Sequence, residues 1–246
     1  YVAETIASTF VSSVGEYVNR FEQDIIEYTK SEAAIATVNG TAALHVCLKL
    51  AGVMPDDLVI TQPLTFVATC NAITYCNASP VFIDVDEKSL SLSPQALEEW
   101  LHENTFLDSK GSCIERNSGR KVSACIPVHT FGHPADLEGL LRVCNLWNLV
   151  LVEDAAESLG SFYRGKHTGT FGKFAALSFN GNKIITTGGG GMILCDAKMG
   201  YMAKHLTTTA KKPHSYEYVH DEVGFNYRLP NINAALGVAQ MEQLRG

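Results

Sequence analysis

Leu149-Val150-Leu151-Val152-Glu153-Asp154-Ala155-Ala156-Glu157 reads as a short buried strand that runs into acids. Ala175-Ala176-Leu177-Ser178-Phe179-Asn180-Gly181-Asn182-Lys183 reads as a second strand, this one running into a lysine. Each apolar run is too short for a helix and meets a polar group where it stops. Asp154 and Lys183 lie about thirty residues apart, a length that suits one crossover between parallel strands. Taken alone, an acid after a strand is as well explained by a helix cap, and a lysine by the protein surface. Together they form a pair that pyridoxal 5′-phosphate chemistry requires. The amine meets the aldehyde, and the carboxylate keeps the pyridine nitrogen protonated so that the ring accepts electrons.

Outward from this pair the same alternation continues. Residues 58–61, 81–85, 124–128 and 192–194 are further β-rich runs. Val18, Phe21, Ile25 and Tyr28 fall on one helical face, which predicts a helix over 16–28. A second helix opens at Gly40-Thr41-Ala42, carries Leu44, Cys47, Leu48 and Ala51 at helical spacing, and ends near Gly52. Residues 94–102, with Ser93 as N-cap and Pro94 in the first turn, and residues 137–147 give two more. Strands alternating with helices predict an α/β fold: a mostly parallel sheet between two helical layers, with ligands bound beyond the carboxyl ends of the strands. Residues 103–121 and 210–223 are polar and predict loops; the glycines 188–191 predict a flexible turn beside Lys183. They precede a strand, so they are not a dinucleotide fingerprint.

A phosphate seat is also needed. Gly40, Thr41 and Ala42 at a helix start offer backbone N–H groups and the positive helix end, and Ser178 adds a hydroxyl. Phe66, after the strand 58–61, can stack on a ring or pack in the core. His129 and His133 flank Phe131-Gly132 and precede Pro134, so they are poorly placed to share one helix face as metal ligands.

The composition narrows the remaining classes. Net charge is −7, with no basic cluster beyond Lys211-Lys212, which argues against nucleic acid as a partner. No run of apolar residues is long enough to span a membrane. The seven cysteines are odd in number and never spaced C-x-x-C, as expected of reduced thiols in a cytoplasmic protein. The chain starts at Tyr1 rather than Met, and it is expected to be a piece of a longer protein.

Seven segments, in order along the chain, resemble the DegT/DnrJ/StrS sugar aminotransferases, a branch of the fold-type I pyridoxal phosphate enzymes. They are residues 39–44 (NGTAAL), 65–68 (TFVA), 81–86 (VFIDVD), 127–132 (PVHTFG), 153–157 (EDAAE), 178–183 (SFNGNK) and 224–230 (GFNYRLP). The resemblance implies that residues 1–246 form the large cofactor-binding domain, with a C-terminal small domain outside them. It implies Lys183 as the covalent cofactor lysine, Asp154 as the acid at the pyridine nitrogen, and Thr41, Ala42 and Ser178 as phosphate contacts. It also implies Phe66 as the stacking residue, Glu157 near the ring hydroxyl, and Asn226 reaching the phosphate of a partner subunit in a homodimer. The implied substrates are a nucleotide-linked 4-keto-6-deoxy sugar and L-glutamate. Residues 220–226 resemble the branch acting on UDP-linked acetamido sugars for surface glycans and nonulosonic acids. One departure is Phe10 before Val11-Ser12-Ser13-Val14-Gly15, where many relatives carry Trp; this segment can line the sugar side.

Three rivals follow from the same residues. A sugar 3-dehydratase of the same fold is one, and in some of those relatives His stands in place of the lysine. A non-catalytic regulator of the same fold is the second; retention of Lys183 and Asp154 argues against it. A lysine-dependent aldolase without the cofactor is the third, and it would need neither the phosphate seat nor Asp154.

Overall fold

The protein is described here from a computed structural model, covering residues 1–12 and 14–244. Ser13, part of the 11–15 segment singled out above, lies outside the described residues. The first half runs α1 (Val2–Ser8), α2 (Glu16–Thr29), β1 (Ala33–Thr37), α3 (Gly40–Leu50), β2 (Leu58–Thr61), α4 (Val67–Tyr75), β3 (Ser79–Phe82), α5 (Pro94–Asn104), β4 (Thr105–Leu107), β5 (Cys113–Glu115) and β6 (Lys121–Ile126). A 3₁₀ turn at Thr130–Gly132 leads to α6 (Leu137–Leu146) and β7 (Val150–Asp154). Then come β8 (Phe162–Tyr163), β9 (Lys166–His167), β10 (Phe174–Ser178), β11 (Gly191–Cys195), α7 (Ala197–Thr207) and α8 (Asn231–Leu244).

The main sheet has the order β1-β11-β10-β7-β6-β2-β3, with the β4–β5 hairpin joined to β6 through β5. From β10 to β3 every neighbour is parallel, whereas β11 runs antiparallel to both β1 and β10. The period-two alternation of strands sorts the core by face. Ile35, Val59, Ala124, Val152, Ala176 and Ile193 join one cluster, with residues of α3, α4 and α7. Ala34, Ala36, Ala175, Leu177 and Met192 point the other way, towards α2 and α8. Ile60, Cys125 and Leu151 do the same towards α5 and α6. The result is the expected three-layer α/β architecture.

Several boundaries differ from the sequence reading for identifiable reasons. β3 starts at Ser79, two residues before the predicted run, and includes Pro80. Proline lacks the N–H for a central ladder, but β3 is the edge of the sheet and tolerates it. β6 stops at Ile126 because Pro127 follows, although Val128 still makes one parallel bridge to Asp154. The predicted loop 103–121 contains the β4–β5 hairpin, whose Cys113 is buried in the core. α4 carries Val67, Thr69, Ile73 and Thr74, a β-branched content that hides a helix set by packing against α3. The glycine run is not one flexible turn. Gly191 belongs to β11, where a Cβ would come within 2.5 Å of the Asn39 backbone.

Candidate active site

β7 and β10 are adjacent and parallel, with Ala176 opposite Asp154. Their carboxyl ends therefore open at the same edge of the sheet, and Asp154, Ser178 and Lys183 reach one cavity of about 460 Å³. Gly40 and Thr41 enter it from the start of α3, and Glu157 from the turn after β7. The volume falls within the usual range for small-molecule and cofactor sites.

Asp154 is almost fully buried. Its Oδ2 accepts a hydrogen bond from Thr69 Oγ1 at 2.6 Å and its Oδ1 accepts one from the Ala156 N–H at 3.2 Å. Burial pushes its carboxyl above the usual aspartate range, opposed by these two hydrogen bonds and by the Lys183 charge. A carboxylate has room for about four hydrogen bonds, so Asp154 keeps acceptor capacity on the cavity side. Lys183 Nζ sits 2.9 Å from Glu157 Oε1, with its side chain mostly shielded.

At the α3 start, the Asn39 side chain accepts the Ala42 N–H at 2.8 Å and the Asn39 carbonyl accepts the Ala43 N–H at 3.2 Å. The N–H groups of Gly40 and Thr41 lie in the first turn, where no helix supplies acceptors. Gly40 also approaches Ser178 closely: a Cβ on it would stand 3.0 Å from the Ser178 Cβ. The helix start and the Ser178 hydroxyl thus form a single small concave surface suited to an anion. Phe66 is 75% exposed and lines the cavity, so it does not pack in the core.

One expected residue lies beside the main cavity, and another lies away from both cavities. Ala42 lines a neighbouring cavity of about 290 Å³, and its N–H is already committed to Asn39, so it has none to offer a phosphate. Asn226 lines neither cavity; it is exposed, and its Oδ1 accepts from Arg228 Nε at 3.2 Å.

Sequence reasoning passed over four contributors. Asn39 caps the key helix, Thr69 holds Asp154, and His129 and Glu153 brace the floor. His129 and Glu153 are completely buried, 2.9 Å apart. The Ala135 N–H donates to His129 Nδ1, so Nε2 carries the proton and donates to Glu153. Burial opposes ionisation of Glu153. The His129 bond and the N–H groups of Gly172 and Gly169 outweigh it and hold the carboxyl below the usual glutamate range. His129 is therefore a structural donor, and His133, exposed, does not meet it. The sequence signal for Thr69 was its place three residues after Phe66, one helical turn inward, and it was lost with α4.

The fold, with a buried acid and a lysine facing one cavity beside an open helix start, defines a fold-type I aminotransferase domain. The chain belongs to the DegT/DnrJ/EryC1/StrS aminotransferase family, whose model matches residues 1–246. Pyridoxal phosphate is the cofactor of that family. EpsN of Bacillus subtilis, provisionally named a pyridoxal phosphate-dependent aminotransferase, is 41% identical over 245 residues, covering 99% of this chain and 60% of that one. The GDP-perosamine synthase of Escherichia coli O157:H7 is 39% identical over 244 residues, with 99% and 62% covered. An aminotransferase structure from Psychrobacter cryohalolentis superposes with a TM-score of 0.86 at 28% identity, covering 99% of this chain and 60% of that one. The chain spans about 60% of the length of the curated relatives it matches.

Proposed function

We propose that the protein is the cofactor-binding large domain of an aminotransferase that moves an amino group from L-glutamate to a nucleotide-linked 4-keto-6-deoxy sugar. The observation that carries this reading is the shared cavity of Lys183 and Asp154. The residues present fit pyridoxal phosphate: Asp154 is a buried carboxylate with spare acceptor capacity, and the Gly40–Ser178 surface leaves room only for backbone N–H groups and a hydroxyl. Lys183 would hold the cofactor covalently, Asp154 its ring nitrogen, Gly40, Thr41 and Ser178 its phosphate, and Phe66 its face. When bound, the cofactor supplies an aldehyde for amine exchange and a ring that accepts electrons.

Lys183 Nζ, once displaced by the donor amine, is placed to take and return a proton as general base. Glu157 Oε1, in contact with that nitrogen, orients it and can store its proton. Asp154, oriented by the Thr69 hydroxyl, would present a negative charge to the cofactor's ring nitrogen. The exposed aromatic rings of Phe66 and Phe131 line the cavity, where they offer apolar surface to a bound ligand.

The acceptor is a sugar of surface-glycan or nonulosonic acid biosynthesis, and the similarity to a GDP-perosamine synthase supports a GDP-linked substrate alongside the UDP-linked acetamido sugars suggested by residues 220–226. Asn226, exposed and away from this chain's cavity, suits a role at the phosphate of a second subunit in a homodimer. We place the enzyme in the cytoplasm.

The test begins with the visible absorbance of the purified protein with pyridoxal phosphate. Lys183→Ala should abolish the lysine-dependent band, and L-glutamate should convert that band to the amine form in the wild type. Incubation with GDP- and UDP-linked 4-keto-6-deoxy sugars, followed by mass analysis, identifies the aminated product. A band indifferent to glutamate and to other amino donors would sink the transaminase reading in favour of the regulator.

A further inference from the structure

Asp154 does not end at Thr69. Thr69 Oγ1 lies 2.6 Å from Asp154 Oδ2 and 2.8 Å from Thr65 Oγ1, and Thr65 Oγ1 lies 3.1 Å from the Phe66 carbonyl oxygen. Thr69 is fully buried, so its hydroxyl has no water to turn to. Each hydroxyl carries one proton, and the 2.6 and 2.8 Å contacts are too short for two oxygens to meet without one, which leaves two directions that satisfy both contacts. With Asp154 ionised, Thr69 donates to Asp154 and Thr65 donates to Thr69. The Phe66 carbonyl then keeps only the Thr69 N–H, at 3.2 Å. With Asp154 protonated, the carboxyl donates to Thr69, Thr69 donates to Thr65, and Thr65 donates to the Phe66 carbonyl. Uptake of a proton on Oδ2 thus reverses both hydroxyls and adds a second donor to the Phe66 carbonyl.

We propose that Thr65 and Thr69 are positioning residues, a reversible hydroxyl relay that orients Asp154 for the cofactor's ring nitrogen and ties its charge state to the backbone under Phe66. The cofactor role rests on the reading of Asp154 given above; the relay itself does not. The chain joins the group below the ring to the residue that stacks on it. Cofactor binding, which demands an ionised Asp154, would then select one hydrogen-bonding state of the Phe66 turn. The other titratable groups that face Asp154 are Lys183, His129 and Cys47, and none of them contacts Thr65 or Thr69 through a hydrogen bond among the described residues.

The test uses the full chain without cofactor, labelled with [1-¹³C]Phe, [¹⁵N]Val and [4-¹³C]Asp. Only two Phe-Val links exist, Phe10–Val11 and Phe66–Val67, so the Phe66 carbonyl can be observed selectively. In the wild type its shift should titrate with the midpoint of the Asp154 carboxyl. Thr69→Val should move the Asp154 midpoint upward and abolish the Phe66 response, and Thr69→Ser should restore both. Thr65→Val should abolish the Phe66 response while moving the Asp154 midpoint less than Thr69→Val does. A wild-type Phe66 carbonyl that ignores the Asp154 titration overturns the relay, as does a response that persists in Thr65→Val. Should Thr69→Val fail to fold, Thr65→Val, at a partly exposed position, decides the matter. A second arm measures affinity for pyridoxine 5′-phosphate, which has no aldehyde for Lys183. It should weaken several-fold in Thr69→Val. If the wild type does not bind this compound, the cofactor role falls, while the carbonyl titration still judges the relay.

Discussion

Replacing Gly191 with alanine tests how tightly the site is built. In β11 this residue sits against the start of α3, and a Cβ would stand 2.5 Å from the carbonyl carbon and oxygen of Asn39 and 2.7 Å from the Gly40 nitrogen. These are backbone atoms, so no side chain can swing aside; the strand or the helix start must shift by about 1 Å to restore ordinary contact. Overpacking of this kind costs typically about 1–3 kcal/mol, and backbone contacts place Gly191→Ala near the upper end. The lost freedom of the unfolded chain returns about 0.4–1 kcal/mol. The net destabilisation is about 2 kcal/mol, or roughly 4–8 °C in Tm for a chain of this size. Thermal unfolding followed by circular dichroism gives the first readout, and titration with pyridoxal phosphate gives the second, because the displaced atoms belong to the proposed phosphate seat. Gly181→Ala is the matched control: nothing lies within 4 Å of its Cβ and its φ is not positive. A Gly191→Ala variant that melts with the wild type and binds the cofactor with unchanged affinity would refute the close-approach reasoning.

Other outcomes follow from the hydrogen-bond network. Asn39→Ala removes the side-chain cap on the Ala42 N–H and should cost about 1 kcal/mol, seen in urea denaturation, together with weaker cofactor binding. His129→Ala takes one hydrogen-bond donor from the buried Glu153 carboxylate and should destabilise by about 1–3 kcal/mol in the same assay. Because the Glu153 carboxyl is held down in the folded state, its stabilisation is present above the unfolded glutamate value of about 4.3 and is lost as pH falls through the lower folded value. Glu153→Gln should flatten that part of the acid limb in pH-dependent urea melts; an unchanged slope would contradict the assignment. Glu157→Gln keeps the shape but removes the charge beside Lys183 Nζ, and rapid-mixing absorbance should show slower proton transfer at the amino-donor step with little change in Tm.

Most of the architecture was written in the chain as local pattern. β2 matched the predicted run, and the capped start of α5 carried Ser93 in plain view. What escaped was set by tertiary context. Pro80 is acceptable only because β3 ends up at an edge, and α4 is helical despite β-branched residues because α3 offers it a packing surface. The same division holds at the site. Lys183, Asp154, Ser178, Gly40 and Thr41 follow strands or open a helix, so topology alone brings them to one edge. The His129–Glu153 brace acts through contacts between separate segments, which no spacing rule reveals, and the spacing that points to Thr69 is hidden with the β-branched α4. Ala42 lies in the right segment, but its N–H bond to the Asn39 side chain could not be read from spacing.

The placement of β11 has a consequence for how the molecule is made. β1, which delivers the chain to the start of α3, has β11 as its sheet neighbour, where Thr37 pairs with Gly191. During synthesis the early segment must wait for some 150 later residues before its strand is fixed. The corner proposed to seat the phosphate is thus among the last places to take shape as the chain emerges.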